Sequence, residues 1–397
     1  MCGIVGFIDK NKNLEILSNM LEVQLHRGPD DSGVYFDEKS GVNLGHNRLS
    51  VQDLSSKGRQ PFISDCGNFV IVFNGEVYNF KDIRKELINL GYKFVSNTDT
   101  EVVLYSYKEW GMKCLQKFIG MFAFCILDKI DNKLTMVRDR AGVKPLYYYT
   151  DGKEFIFSSE IKSFHKHPKF KKEQNIDVLP YYFQFGYIPA PHTIFNNCFK
   201  LEPGHYLEVN IESLKSTIIK YWDVNDFYLK EKVKKNENDI LREIEELLEN
   251  AIELRMISDV PVGVFLSGGY DSSLVASILC KKLKKKINTF TIGFDDEKYN
   301  EAAQARSIAN YLDTNHKEYY MRENDVLDLV ADLPYYYDEP FGDSSALPTM
   351  ILSKLARENV TVALSADGGD ETFVGYSKYF FLNELQNVFS NKFKKNF

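Results

Sequence analysis

From residue 239 to residue 364 the sequence alternates amphipathic helix with short apolar run, and that alternation leaves few folds open. Leu241, Ile244, Leu248 and Ile252 recur at helical spacing; 262–266 reads as strand, 273–283 as helix, 289–294 as strand, 301–312 as helix and 360–364 as strand. Strands that take turns with helices pair in parallel and are covered on both faces. The first half follows another pattern. Short β-rich runs at 67–73, 122–127, 133–137 and 154–158 are separated by turns, with helical interludes at 14–24 and 80–90. The two patterns meet at 228–239 (YLKEKVKKNEND), the most charged stretch of the chain. We expect an α/β protein with a first domain over 1–215, a linker over 216–239 and a second domain over 240–397.

At 397 residues the chain is long enough for two or three cores. A net charge of −7 gives no reason to expect a polyanion, and the run 281–286 (KKLKKK) reads as the solvated face of a helix, so nucleic acid is not an expected partner. The apolar run 4–8 is too short for a signal-peptide core or a membrane span; no membrane partner is expected and the cytoplasm is the expected location. Six cysteines without CxxC spacing fit a reduced protein. His165 and His167 lack further ligands at metal spacing and are followed by Pro168, so no zinc is assigned.

Ser267-Gly268-Gly269-Tyr270-Asp271-Ser272-Ser273 sits between a predicted strand and a predicted helix, where parallel sheets bind nucleotides. Glycines admit a phosphate close to the backbone, the helix start offers N–H groups, and the hydroxyls of Ser267, Ser272 and Ser273 add donors. The loop lacks the Gly-Lys-Ser/Thr of a Walker A loop and carries an aspartate instead, suited to Mg2+ on the phosphates. Taken alone it is equally a Gly-Ser turn with a helix cap. A second acidic loop, Ser365-Ala366-Asp367-Gly368-Gly369-Asp370-Glu371, follows 360–364, so both loops are expected at one sheet edge. Asp271 and Asp370 would share one Mg2+ there, with Asp367 or Glu371 acting on a bound substrate as acid, base or electrostatic group.

These loops, together with 300–318 (NEAAQARSIANYLDTNHKE), 338–345 (DEPFGDSS) and 365–376 (SADGGDETFVGY), resemble the ATP-pyrophosphatase domain of glutamine-hydrolysing asparagine synthetases. The resemblance implies that ATP adenylates the β-carboxylate of aspartate, that pyrophosphate leaves, and that ammonia displaces AMP. It implies an ATP pocket of Leu266, Ser267, Gly268, Gly269, Asp271, Ser272, Ile292, Ser365 and Ala366, with Mg2+ on Asp271 and Asp370. Asp367 matches the acidic residue needed to form the acyl-adenylate.

Members of the family begin Met-Cys-Gly-Ile, and this chain begins MCGIVGFI. A cysteine there is a small hydrophobe ahead of an apolar run, or it becomes the N-terminus when Met1 is removed. In the second case thiol and α-amine share one residue, and an amine of pKa ~8 serves as base for a thiol of pKa ~8.5. The resemblance implies that Cys2 attacks the side-chain amide of glutamine and that Asn74 and Gly75, in 74–79 (NGEVYN), form the oxyanion hole. Arg48 would clamp the α-carboxylate, with Val51 beside it, and Glu76 and Asp99 would hold the α-ammonium. Residues 27–30 (RGPD) and 138–146 (RDRAGVKPL) match as well. The implied fold is an N-terminal-nucleophile αββα sandwich glutaminase followed by a parallel-sheet α/β ATP-pyrophosphatase domain.

Two positions depart from the family pattern. Ala366 stands where glycine is usual, and Val374 replaces the first glycine of Phe-Gly-Gly-Tyr, which would tighten the loop near AMP. Family members generally continue well beyond Phe397, so the second domain is expected to be incomplete. A helix over 376–393 would carry Phe381, Leu385, Val388 and Phe389 on one face that needs cover, inviting a homodimer or a separate C-terminal partner. The acceptor stays open between aspartate and another carboxylate such as a uronic acid. A glutaminase acting alone and a non-catalytic binding remnant also stay open.

Overall fold

On β1 (Gly3–Ile8) successive side chains face opposite ways, and this sorts the first part of the molecule into layers. Ile4 enters a core shared by two sheets, while Val5 and Phe7 pack on Leu17, Met20 and Leu21 of the helix Leu14–Glu22. The first sheet runs β10 (Cys198–Lys200), β8 (Tyr147–Thr150), β9 (Phe155–Ser158), β1, β3 (Val42–Arg48), β2 (Asp31–Asp37). The second runs β12 (Ser216–Lys220), β11 (His205–Asn210), β7 (Lys133–Arg138), β6 (Gly120–Asp128), β5 (Phe69–Val77), β4 (Phe62–Ile63). Pairing is antiparallel throughout both. Leu44, Val70, Val72, Cys125 and Met136 fill the space between them. The helices Phe80–Asn89 and Asp99–Trp110 lie on the second sheet, with the Tyr107 ring edge-on to Phe69 at 5.9 Å. The result is helix, sheet, sheet, helix.

The computed structural model describes residues 1–298 and 300–394 and divides into two units. The first holds Met1–Lys235 with Ala331–Ser344, and the second Asn236–Val330 with the residues from Ser345 on. In the second, β13 (Val262–Phe265), β14 (Asn288–Phe294), β15 (Asn315–Met321) and β16 (Val362–Leu364) form a wholly parallel sheet in the order β15-β14-β13-β16. One face packs Val264 and Leu266 with Ile252 of the helix Glu237–Arg255 and with Ala305 and Ala309 of the helix Ala302–Leu312. The other packs Phe290 on Ala356 of the helix Ala346–Arg357 and on Val360. No helix among the described residues is long and apolar enough to cross a membrane.

Several boundaries differ from those expected of the sequence. Residues 216–220, placed in the linker, are strand β12, which completes the second sheet by pairing Tyr206 with Ile219. The first helix of the second unit starts at Glu237, where the Asn236 side chain accepts from the Asp239 N–H at 2.9 Å. Residues 331–344, placed in the second domain, group with the first unit, where Asp338 and Glu339 sit in buried ion pairs. The helix expected over 273–283 begins at Tyr270, which puts Asp271 in its first turn. Strand β15 escaped notice because Lys317 and Glu318 interrupt its apolar pattern. The last helix spans Ser377–Lys394 with Phe381 exposed; the side chains of Val388 and Phe389, and residues 395–397, lie outside what is described.

Candidate active sites

The β1–β3 register sets Gly3 opposite Asn47 and brings Cys2 to Arg48. The Cys2 thiol points at the Leu49 carbonyl, 3.8 Å away, and burial pushes its pKa up against the pull of the positive N-terminus. Arg48, Val51, Gly75, Glu76 and Asp99 line the same pocket. Arg48 is buried, giving Nη1 to the Ser55 carbonyl (2.9 Å) and Nη2 to those of Gln52 (3.1 Å) and Asp53 (2.5 Å). An arginine carries five N–H donors, so at least two remain for a carboxylate. Gly58 makes room for this group: a Cβ there would collide with Nη2.

Opposite the arginine stands a carboxylate pair. Burial, then the charge of Asp99, raises the Glu76 pKa well above the ordinary range; burial raises Asp99 likewise, although the Val77 N–H donates to it at 2.8 Å. Gln52 Nε2 donates to Glu76 Oε2. Neither carboxylate has an ion-pair partner among the described residues, so a cation delivered by a substrate would complete the set. Asn74 on β5 does not line the pocket, but its side chain is fully buried and neither amide atom finds a partner. Such an orphaned donor fits a group arriving during reaction. Gly75 beside it allows close contact with β6, since a Cβ would collide with the Met121 carbonyl.

Two residues that the sequence did not single out belong to this pocket or its wall. Gln52 holds Glu76. Lys144 is buried, its pKa lowered to about 8 by burial and by Arg27 while Glu76 and Cys2 pull upward. Its loop is wound around Asp139, which accepts from the N–H groups of Ala141 (3.1 Å), Val143 (3.0 Å) and Lys144 (2.9 Å). The only sequence signal for Lys144 was its place in RDRAGVKPL.

In the second unit both loops do leave one edge of the sheet, where adjacent strands β13 and β16 end. A cavity of about 590 Å3 there is lined by Leu266, Ser267, Gly269, Asp271, Ser272, Ile292, Ser365, Ala366, Asp367 and Asp370. That is a size suited to a nucleotide. Gly268, the remaining expected residue, lines a neighbouring hollow with Gln304, Ser307 and Ile308 instead. It serves the loop through its backbone, whose φ of +89° favours glycine. The serines brace the loop: Ser267 Oγ lies 3.0 Å from Ser272 Oγ and accepts from the Gly269 N–H at 3.2 Å. The Asp271 carboxylate lies so close to Gly369 that a Cβ there would collide with it, and Asp370 packs on Gly375 in the same way. These two carboxylates form no ion pair among the described residues. They are hard oxygen donors of the kind Mg2+ takes alongside phosphate oxygens. Asp367 is exposed and accepts from Ser365 Oγ at 2.8 Å. Phe265, Phe290, Thr291, Glu301, Thr349 and Leu352 also line the cavity and were not foreseen.

Residues 1–222 match the model of a glutamine amidotransferase domain, and residues 243–394 that of asparagine synthase. The chain is 41% identical to the Methanocaldococcus jannaschii protein named "Putative asparagine synthetase (glutamine-hydrolyzing) 2", the match covering 100% of this chain and 79% of that protein. It is 34% identical to the Bacillus subtilis asparagine synthetase (glutamine-hydrolyzing) 1 and 35% identical to number 2 of the same organism, over 96% and 95% of this chain. It spans 59% and 52% of the length of those two relatives. An antiparallel sandwich with a cysteine at its first strand, joined to a parallel-sheet unit with paired acidic loops, thus coincides with both family matches, and the chain belongs to the glutamine-hydrolysing asparagine synthetases, a family of ATP-dependent carbon–nitrogen ligases.

Proposed function

We propose that this chain hydrolyses glutamine at the Cys2 pocket and uses the ammonia to amidate aspartate, activated by ATP, at the cavity of the parallel-sheet unit. The observation that carries the reading is the composition of the first pocket: an arginine with spare donors faces two buried carboxylates that lack a cation. A free α-amino acid brings the complementary carboxylate and ammonium.

Met1 is 53% exposed, accessible for removal. The freed α-amine of Cys2 then takes the thiol proton, and the thiolate attacks the side-chain amide carbon of glutamine. The oxyanion accepts from the Asn74 amide and the Gly75 N–H. The C–N bond breaks as the ammonium of Cys2 returns its proton to the departing ammonia, and water hydrolyses the thioester to glutamate.

In the second unit ATP is a substrate. Ser267, Gly269, Ser272 and the N–H groups opening the helix Tyr270–Ser277 would receive its phosphates. Asp271 and Asp370 would hold Mg2+, which when bound offsets the charge of the departing pyrophosphate. The acceptor carboxylate attacks the α-phosphorus, ammonia then attacks the acyl carbon, and AMP leaves; Asp367, which lines the cavity, would give acid–base or electrostatic help. Aspartate as acceptor rests on the relatives' names. These are small-molecule partners, and we take the cytoplasm as the location. The test is pyrophosphate and amide formed from ATP, ammonia and a panel of carboxylates. Aspartate should give both products; release only with a uronic acid would move the acceptor, and release with none would restrict the chain to the first half-reaction.

A further inference from the structure

A row of buried charges leads from the nucleophile to residues 331–344. Arg27 donates Nε to the Cys2 carbonyl at 2.9 Å and Nη1 to Glu160 Oε1 at 2.9 Å. Glu160 Oε2 meets Lys162 Nζ at 2.7 Å, and Lys162 Nζ meets Asp338 Oδ1 at 3.2 Å. All four side chains are 14% exposed or less. Asp338 is fixed from its other oxygen, which accepts from the Ile161 N–H at 2.5 Å, and the adjacent Glu339 pairs with Lys200 at 2.7 Å. Tyr335 and Tyr336 close over the row, their rings packing on that of His26 with centroids 5.1 and 5.7 Å away.

We propose that Asp338 is a positioning residue for glutamine hydrolysis: through Lys162, Glu160 and Arg27 it holds the Cys2 carbonyl, and with it the thiol and the α-amine, in place. The inference rests on the reading of Cys2 as nucleophile. Two cations and two anions balance within the row, with Glu160 shared between Arg27 and Lys162 and also met by His26 Nε2 at 3.1 Å. Without the Asp338 charge, Lys162 draws on Glu160 alone, and Arg27 loses hold of the one carboxylate that orients it. Low dielectric makes that redistribution strong. The residue lies outside the amidotransferase stretch of the sequence, so the ATP half of the chain contributes part of the support for the glutaminase nucleophile.

The test uses the full chain with Met1 removed. Asp338→Asn keeps an acceptor for the Ile161 N–H and loses only the charge. We expect kcat for glutamine hydrolysis to fall roughly tenfold, as small misplacements of reacting groups do, with KM within about twofold because Arg48 is untouched. Alkylation of Cys2 by iodoacetamide should quicken roughly fivefold as the N-terminus loosens. Adding Lys162→Gln to Asp338→Asn removes the competing cation, and should return kcat to within about threefold of the wild type, a rescue that a purely structural role does not predict. Wild-type kcat and alkylation rate in folded Asp338→Asn, or no recovery in the double variant, would overturn the proposal. If Asp338→Asn does not fold, Asp338→Ser takes its place. A wild-type chain that hydrolyses no glutamine defeats the proposed function; the alkylation rates still decide whether Asp338 acts on Cys2.

Discussion

On the reading proposed above, Cys2 depends on two neighbours of different kinds: its own α-amine, once Met1 is gone, as base, and Arg27, which donates to its carbonyl at 2.9 Å and would hold it in place. Burial alone pushes the thiol toward the inert form. We therefore expect Cys2→Ala to lower glutamine hydrolysis by at least about a thousandfold while ammonia-dependent amide formation, if present, is unchanged. Protein that keeps Met1, identified by N-terminal mass, should be equally inactive with glutamine, because the base is then locked in a peptide bond. Val374 presents a different residue-scale problem. Its φ of +61° lies in the left-handed region, which a β-branched side chain occupies at a cost of about 1–2 kcal/mol. Val374→Gly should stabilise the second unit by about 1 kcal/mol net of glycine's extra chain entropy, measured by denaturant unfolding. The departure from the family pattern was visible in the sequence; the strained backbone that gives it meaning was not.

Loops and strand ends, rather than single residues, assemble both pockets. Glu76 lies one residue from the end of strand β5 and Asp99 opens a helix; burial raises both pKa values, and the charge of Asp99 adds to the rise at Glu76. On the proposed reading the ammonium of glutamine binds the ionised pair, so binding would expel protons. KM for glutamine should therefore rise as pH falls from about 8 to about 6, and Glu76→Gln should raise KM while flattening that dependence. In the other unit, Asp271 and Asp370 come from loops separated by nearly a hundred residues, yet Asp271 packs on Gly369, the residue next to Asp370. Each Asp→Asn change should weaken Mg2+-dependent ATP binding by at least about tenfold, which is 1.4 kcal/mol, and the double variant should lose little more. Calorimetric titration would show this, and full additivity would separate the two residues. These elements were legible because loops after apolar strands announce themselves. Gln52, Lys144 and the strand β15 did not, because their roles depend on register and on neighbours far away in sequence.

At the scale of the whole chain, the change from antiparallel to alternating pattern marked two units, but it could not show that 331–344 leaves the ATP half to join the first. That assignment is made by buried pairs such as Glu339 with Lys200, whose partners lie more than a hundred residues apart. Each unit has its own apolar core: Val70, Val72 and Met136 belong to the first, Val264, Leu266 and Ala305 to the second. Ligands should then stabilise the unit that binds them. A ligand held by the native form alone adds RT ln(1 + [L]/Kd), about 2.7 kcal/mol at a hundred times Kd. With ATP and Mg2+ at that excess, amide hydrogen exchange should slow in β13, β14 and β16, whose ends carry the Ser267–Ser273 loop, the cavity wall and the acidic loop. Exchange in β1, β3 and β5 should stay unchanged under ATP and slow instead with a glutamine analogue that occupies the Cys2 pocket. The first set follows from binding at the sheet edge of the second unit. Protection by ATP in the strands around Cys2, with none in β13 and β16, would place the nucleotide in the wrong unit and remove the basis for dividing the two half-reactions between them.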